Sequence, residues 1–302
     1  MQYLLISIVL LLGTVKAADT FIGQSISLAK KLKISGFIIG FTLVAFGTSL
    51  PEFIVSTYST YTGHTDIAIS NVLGSCIANI TLVLGVLAVY KPYKLNKTDV
   101  FLNIPLSLFS LLFFVILLIL NNFTLTVISG VILIVIVPFI LLISKRNNGV
   151  HRIKSEVKFN LLILILSLIA LIILGKYSVD YILKFSELFN IQESILGYFV
   201  MAIGTSLLEL VAAFAAIRKG NGEMGIGNIL GSNLINLYLI FGSSSLIYSI
   251  NLSEFKTETY FLIFLTLLLV VLGFIGKKFF LSKREGLVLL ITYMLFVIYQ
   301  VL

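Results

Sequence analysis

Glu52 and Glu209 each sit deep inside a long apolar segment, with no basic residue nearby in the chain. An acid at the centre of a membrane helix costs about 2.5–3.5 kcal/mol on insertion scales, so two of them need a reason. Their neighbours supply one. Thr48 and Ser49 stand four and three residues before Glu52, and Thr205 and Ser206 stand likewise before Glu209. Helical spacing puts these hydroxyls on the carboxylate's side. In each following segment a serine and an asparagine lie four apart, Ser75 with Asn79 and Ser232 with Asn236. The set is two carboxylates, six hydroxyls and two amides, and no histidine or cysteine pair offers a softer site. Such oxygens suit Ca²⁺ or Na⁺ rather than zinc or copper. Two ionised glutamates carry two negative charges, which one Ca²⁺ or two Na⁺ neutralise. The bland alternative is a pair of protonated, hydrogen-bonded glutamates that only tie helices together.

Several other residues bear on this chemistry. Gly47 and Pro51 flank the first hydroxyl pair, where an unwound turn would release carbonyls toward an ion. Ala45 and Ala202, just ahead of that turn, are the expected carbonyl donors. Gly74 and Gly231 read as small residues for close helix packing, and Cys76 as inert packing. Asp19 and Asp180 have lysines at helical spacing, Lys16 and Lys176, and are expected to pair with them or to snorkel.

The elements that position these groups are membrane helices. Of 302 residues, 59% are hydrophobic and 11% charged, against about 25% charged in a soluble domain. Apolar runs long enough to cross a bilayer recur throughout, and they are continuous rather than alternating, which argues against a β-barrel. The pattern predicts an all-α polytopic membrane protein with ten helices, at about 3–29, 36–62, 67–90, 100–120, 123–144, 158–184, 194–218, 224–249, 257–276 and 284–301. Seventeen of the 21 basic residues fall in alternate loops, five of them within 145–158, while the opposite side has only Lys184 and Lys256. The positive-inside rule then places the 145–157 loop in the cytoplasm and both termini outside the cell membrane. The apolar run from Tyr3 to Leu12 loosely imitates a cleaved leader, but no positive residue precedes it.

The chain also repeats itself. Gly40 to Glu52 aligns with Gly197 to Glu209 at a shift of 157, sharing Gly-Thr-Ser-Leu and the glutamate. Asn71 to Asn79 aligns with Asn228 to Asn236 at the same shift. Five predicted helices per repeat is an odd number, so the halves 1–144 and 158–302 must run oppositely: an inverted-topology repeat with a site at the midplane. The repeat also requires the first helix, as the counterpart of the sixth.

Gly47-Thr48-Ser49-Leu50-Pro51-Glu52 with Asn71 to Asn79 resembles the first α-repeat of the cation/Ca²⁺ exchanger superfamily. Gly204-Thr205-Ser206-Leu207-Leu208-Glu209 with Gly227 to Asn233 resembles the second. The resemblance is to a compact prokaryotic sodium/calcium exchanger. It implies ten helices, four ion sites in a diamond, exchange of several Na⁺ for one Ca²⁺, and sliding of helices one and six past a rigid core. It assigns ligand roles to Thr48, Ser49, Glu52, Ser75, Asn79, Thr205, Ser206, Glu209, Ser232 and Asn236, with the Ala45 and Ala202 carbonyls. The chain departs from many relatives at Asn236, where they carry aspartate, and at Leu208, where they carry proline.

The function expected is therefore Na⁺/Ca²⁺ antiport by alternating access. The rival reading on the same scaffold is Ca²⁺/H⁺ antiport; beyond it lie a cation channel and a non-transporting scaffold. No paired catalytic aspartates or serine–histidine arrangement suggests an enzyme. The expected partners are the transported Ca²⁺ and Na⁺ and the lipid bilayer, with a monomeric chain, no covalent cofactor and no nucleic acid.

Overall fold

The computed structural model describes residues 2–147, 157–187, 193–273 and 280–301. Among these, ten helices follow one another. They are α1 (Gln2–Leu32), α2 in two parts (Gly36–Thr48 and Leu50–Tyr61), α3 (Thr65–Tyr90), α4 (Asp99–Leu120) and α5 (Val127–Asn147). After the 148–156 segment, which lies outside the described residues, come α6 (Leu161–Glu187), α7 (Glu193–Arg218), α8 (Gly222–Ile247), α9 (Ser253–Leu272) and α10 (Lys283–Val301). Helix ends agree with the expected ones to within a few residues. By length, hydropathy and charge, α3, α4, α5, α8 and α9 each qualify to cross a membrane, and α2 does so if its two parts count as one span.

Burial sorts these helices. The most hydrophilic of the five, α8, is the most buried, at 94% of its apolar window, and α3 follows at 78%. The more apolar α4 and α5 are only 39% and 33% buried. In lipid, polar side chains must find partners inside the protein, so α3 and α8, which carry Ser75, Asn79, Ser232 and Asn236, take the centre; hydropathy alone does not decide burial, since α9 is less apolar than α3 yet only 33% buried. One large apolar core joins α2–α5 with α7–α10. A separate cluster, built around Ala18, Phe21, Leu171 and Ala212, seats α1 and α6 against α2 and α7. These two long helices pack mainly along each other.

The crossing of α2 and α8 is set by glycine. A Cβ on Gly40 would lie 2.2 Å from the Met224 carbonyl oxygen, and one on Gly231 would lie 2.4 Å from that of Phe41. Only hydrogen fits there, so the backbones touch, the close approach that small residues permit in membranes. Gly74, the counterpart of Gly231 and expected to pack as closely, does not: a Cβ there would meet no described atom within 4 Å.

Two short antiparallel ladders tie distant loops together. Tyr93–Lys94 (β1) pairs with Phe280–Leu281 (β4), and Thr124–Leu125 (β2) pairs with Ile250–Asn251 (β3). Each ladder takes one strand from either side of the 145–157 segment.

Asp19 corrects one sequence expectation. Its ion partner is Arg218 on α7, at 3.6 Å, rather than Lys16 on its own helix. A tertiary neighbour outcompeted the local one. The side chain of Asp180 lies outside the described residues.

Candidate functional site

Both glutamates are fully buried, Glu52 at 0% and Glu209 at 1% exposure. They come from different halves of the chain, yet the halves meet here, since Ser49, three residues before Glu52, reaches the Glu209 carboxylate. The elements that hold them differ. α2 breaks at Ser49 and bends by 49°, because Pro51 has no N–H to give to the carbonyl of Gly47 and its ring crowds that turn. α7 runs unbroken through the equivalent stretch, where Leu208 replaces the proline.

Matching asparagines fix each glutamate's backbone. Asn71 on α3 donates to the Glu52 carbonyl (3.4 Å), and Asn228 on α8 donates to the Glu209 carbonyl (3.3 Å). The amides thus hold each glutamate's main chain and leave its carboxylate to the interior. Asn71 also donates to Ser56 Oγ (2.9 Å), and Asn228 Oδ1 accepts from Thr48 Oγ1 (3.2 Å). Along the chain these asparagines are visible only as part of the repeat, each 19 residues after its glutamate.

The ten expected side-chain ligands distribute as follows. Ser49 Oγ donates to Glu209 Oε1 (3.1 Å), so a hydroxyl from the first half reaches the acid of the second. Thr48 and Ser232 also face the Glu209 carboxylate. Thr48, Ser75, Asn79, Ser206, Ser232 and Asn236 are all buried at 1% or less. Asn79 Nδ2 donates to Asn233 Oδ1 (3.0 Å). Thr205 and Ala202 lie on α7, but their side chains are outside the described ones. The Ala45 carbonyl accepts from the Ser49 N–H (3.0 Å) and has the Thr48 hydroxyl at 3.3 Å.

What sets the set apart is its unmet hydrogen-bonding capacity. Glu52 Oε1 and Oε2, Glu209 Oε2, Asn79 Oδ1, Ser206 Oγ, Ser232 Oγ and both polar atoms of Asn236 are buried without a protein partner. A buried polar atom left unpaired costs about 1–3 kcal/mol, more when charged. Their gathering around two acids is the donor chemistry of a hard cation. Among the described residues no group of three His, Cys, Asp or Glu offers a different kind of metal site.

The backbone takes part too. α3 and α8 each loosen into a π-turn here, at Asn79–Val83 and Ile235–Ile240. Allowing for the shift of 157, both place an asparagine, Asn79 or Asn236, at or next to the start of the π-turn. Such bulges recur at functional sites because they shift side chains out of helical register. Between the two π-turns, Cys76 and Asn233 face each other, with Asn233 Nδ2 donating to the Cys76 carbonyl (3.2 Å). Cys76 packs as expected, but its partner sits at its own repeat position.

The family model described as "Sodium/calcium exchanger protein" matches residues 2–145 and 159–302. The chain is 30% identical to the sodium/calcium exchanger MaX1 of Methanosarcina acetivorans, over 96% of this chain and 97% of that protein. It is 31% identical to the putative antiporter CaxA of Alkalimonas amylolytica, over 96% of this chain and 95% of that one. Among solved structures, the sodium-calcium exchanger NCX_Mj soaked with Na⁺ and Ca²⁺ superposes with a TM-score of 0.82 at 29% identity, covering 98% of this chain and 97% of that one. Two buried acids on helices of a polytopic bundle, and a family match over nearly the whole length, lead to one statement: this chain is a multi-pass membrane protein of the sodium/calcium exchanger family.

Proposed function

We propose that the chain is a secondary antiporter that exchanges Na⁺ for Ca²⁺ by alternating access, with cations held between Glu52 and Glu209. The observation that carries this reading is the group of buried, unpartnered oxygens around two carboxylates contributed by both halves. Ca²⁺ takes six to eight oxygens, and the two glutamates with Ser206, Ser232, Asn79 and Asn236 supply that many. Na⁺ uses the same oxygens singly, so the two ions compete, and competition plus alternating exposure is exchange.

The scaffold we propose is ten transmembrane helices in two inverted five-helix halves, 1–144 and 158–302, joined by a cytoplasmic 145–157 loop, with both termini outside. Recurrence at a shift of 157 supports it: the glutamates, their asparagine clamps, the π-turns and the paired short strands all recur.

Purified protein in liposomes loaded with Na⁺ tests the function. Radioactive Ca²⁺ should accumulate when the outside is Na⁺-free, and accumulation should collapse when the Na⁺ gradient is abolished. Uptake driven by a pH gradient without Na⁺ would instead establish Ca²⁺/H⁺ antiport.

A further inference from the structure

Glu258 lies in the first turn of α9 and belongs to no part of the central set. Its Oε1 accepts from Gln300 Nε2 on α10 (2.8 Å). Its Oε2 is buried with no partner, a condition that, among the described acids, only Glu52 and Glu209 share. No described basic group forms an ion pair with it. Lys256, two residues earlier, instead holds its ammonium over the Phe123 ring, 4.9 Å from the centroid.

Glu258 also lines a small cavity. Ser70, Leu73, Gly74, Phe255, Phe296 and Gln300 complete the lining, and the space is about 10 Å³, room for one water-sized body. Gly74 helps keep it open, since a Cβ there would touch no described atom. Glu258 as a whole is half-buried, but two phenylalanines and a leucine surround the space and solvate its shielded oxygen poorly. Three lining residues offer oxygens: Glu258 through Oε2, Ser70 through a hydroxyl that can accept or donate, and Gln300 through the oxygen of an amide whose nitrogen is already donating. The cavity borders α3 at Gly74, the residue next to Ser75 of the central set. The other half has no such arrangement. At the shift of 157, Phe101 stands for Glu258 and Gly227 for Ser70.

We propose that this pocket is a second site for a single hard cation, Na⁺ or Ca²⁺, beside the central oxygens and separate from them. The test is equilibrium binding of radioactive Ca²⁺, with Na⁺ as competitor, to the full chain carrying Glu52→Gln and Glu209→Gln. Residual binding approaching one ion per chain is expected, and adding Glu258→Gln, which keeps the contact to Gln300, should remove it. Ser70→Ala in the same background is the milder variant and should weaken the residual binding about three- to tenfold, the worth of one lost oxygen contact. No residual binding, or residual binding indifferent to both changes, overturns the proposal; Glu258 would then only tie α9 to α10 through Gln300. Because the readout is binding to a chain with its central acids removed, its failure is distinct from failure of gradient-driven exchange by the native chain.

Discussion

The helices that carry the two acids, α2 and α7, began from the same motif and were finished differently. α2 bends by 49° at Ser49, while α7 continues straight through Ser206. Pro51 makes the difference, and its counterpart Leu208 serves another end: its side chain would lie 2.4 Å from a Cβ on Gly175, so it fills a notch in α6. Past the glutamate the contrast continues. α2 buries Ser56, Ser59 and Thr60, where α7 carries Ala213, Ala216 and Ile217. One half therefore leaves the site along hydroxyls and the other along alkyl groups. The lesson is that the repeat preserves the acid, its Thr-Ser pair, its asparagine clamp and the π-turn beside it, while the helix break and the residues past the glutamate differ between the halves.

Three experiments would break or sharpen this comparison. The largest effect is expected where the halves agree. Glu52→Gln and Glu209→Gln should each cut Na⁺-driven Ca²⁺ uptake by at least about a hundredfold, since leaving one member of a buried charged set uncompensated costs about 3–5 kcal/mol. Normal flux from either variant would remove that residue from the site. Where the halves differ, effects should be unequal. Leu208→Pro should destabilise α7 by about 3 kcal/mol or more, through a lost helix hydrogen bond and the clash of its ring, seen as a lower melting temperature in detergent. Pro51→Leu should be milder in stability and read out mainly as slowed exchange; a stable, fully active Leu208→Pro chain would show that the bend carries no half-specific role. The smallest contrast is between the paired glycines. Gly231→Ala pushes a Cβ into the Phe41 carbonyl and should cost about 1–3 kcal/mol. Gly74→Ala meets nothing described and should stay within about 0.5 kcal/mol of neutral. Equal costs would mean that both glycines pack alike.

Much of this protein could be read along the chain. Apolar stretches of bilayer length, the recurrence at 157 and the isolation of Glu52 and Glu209 follow from residue type and spacing, because a lipid surround permits so few backbone arrangements. The family follows from the same two motifs. Contacts between helices were another matter. Asp19 had a lysine at helical spacing, yet chose Arg218 from α7. Asn233 answering Cys76, Ser49 reaching across to Glu209, and an open Gly74 beside a closed Gly231 all depend on how helices cross. Periodicity states which face of a helix a residue occupies, but not which helix will come to that face or how near. The ingredients of a two-acid site were therefore set by the sequence itself, whereas the burial that leaves their oxygens without protein partners arose only from the packing of α2, α3, α7 and α8 around them.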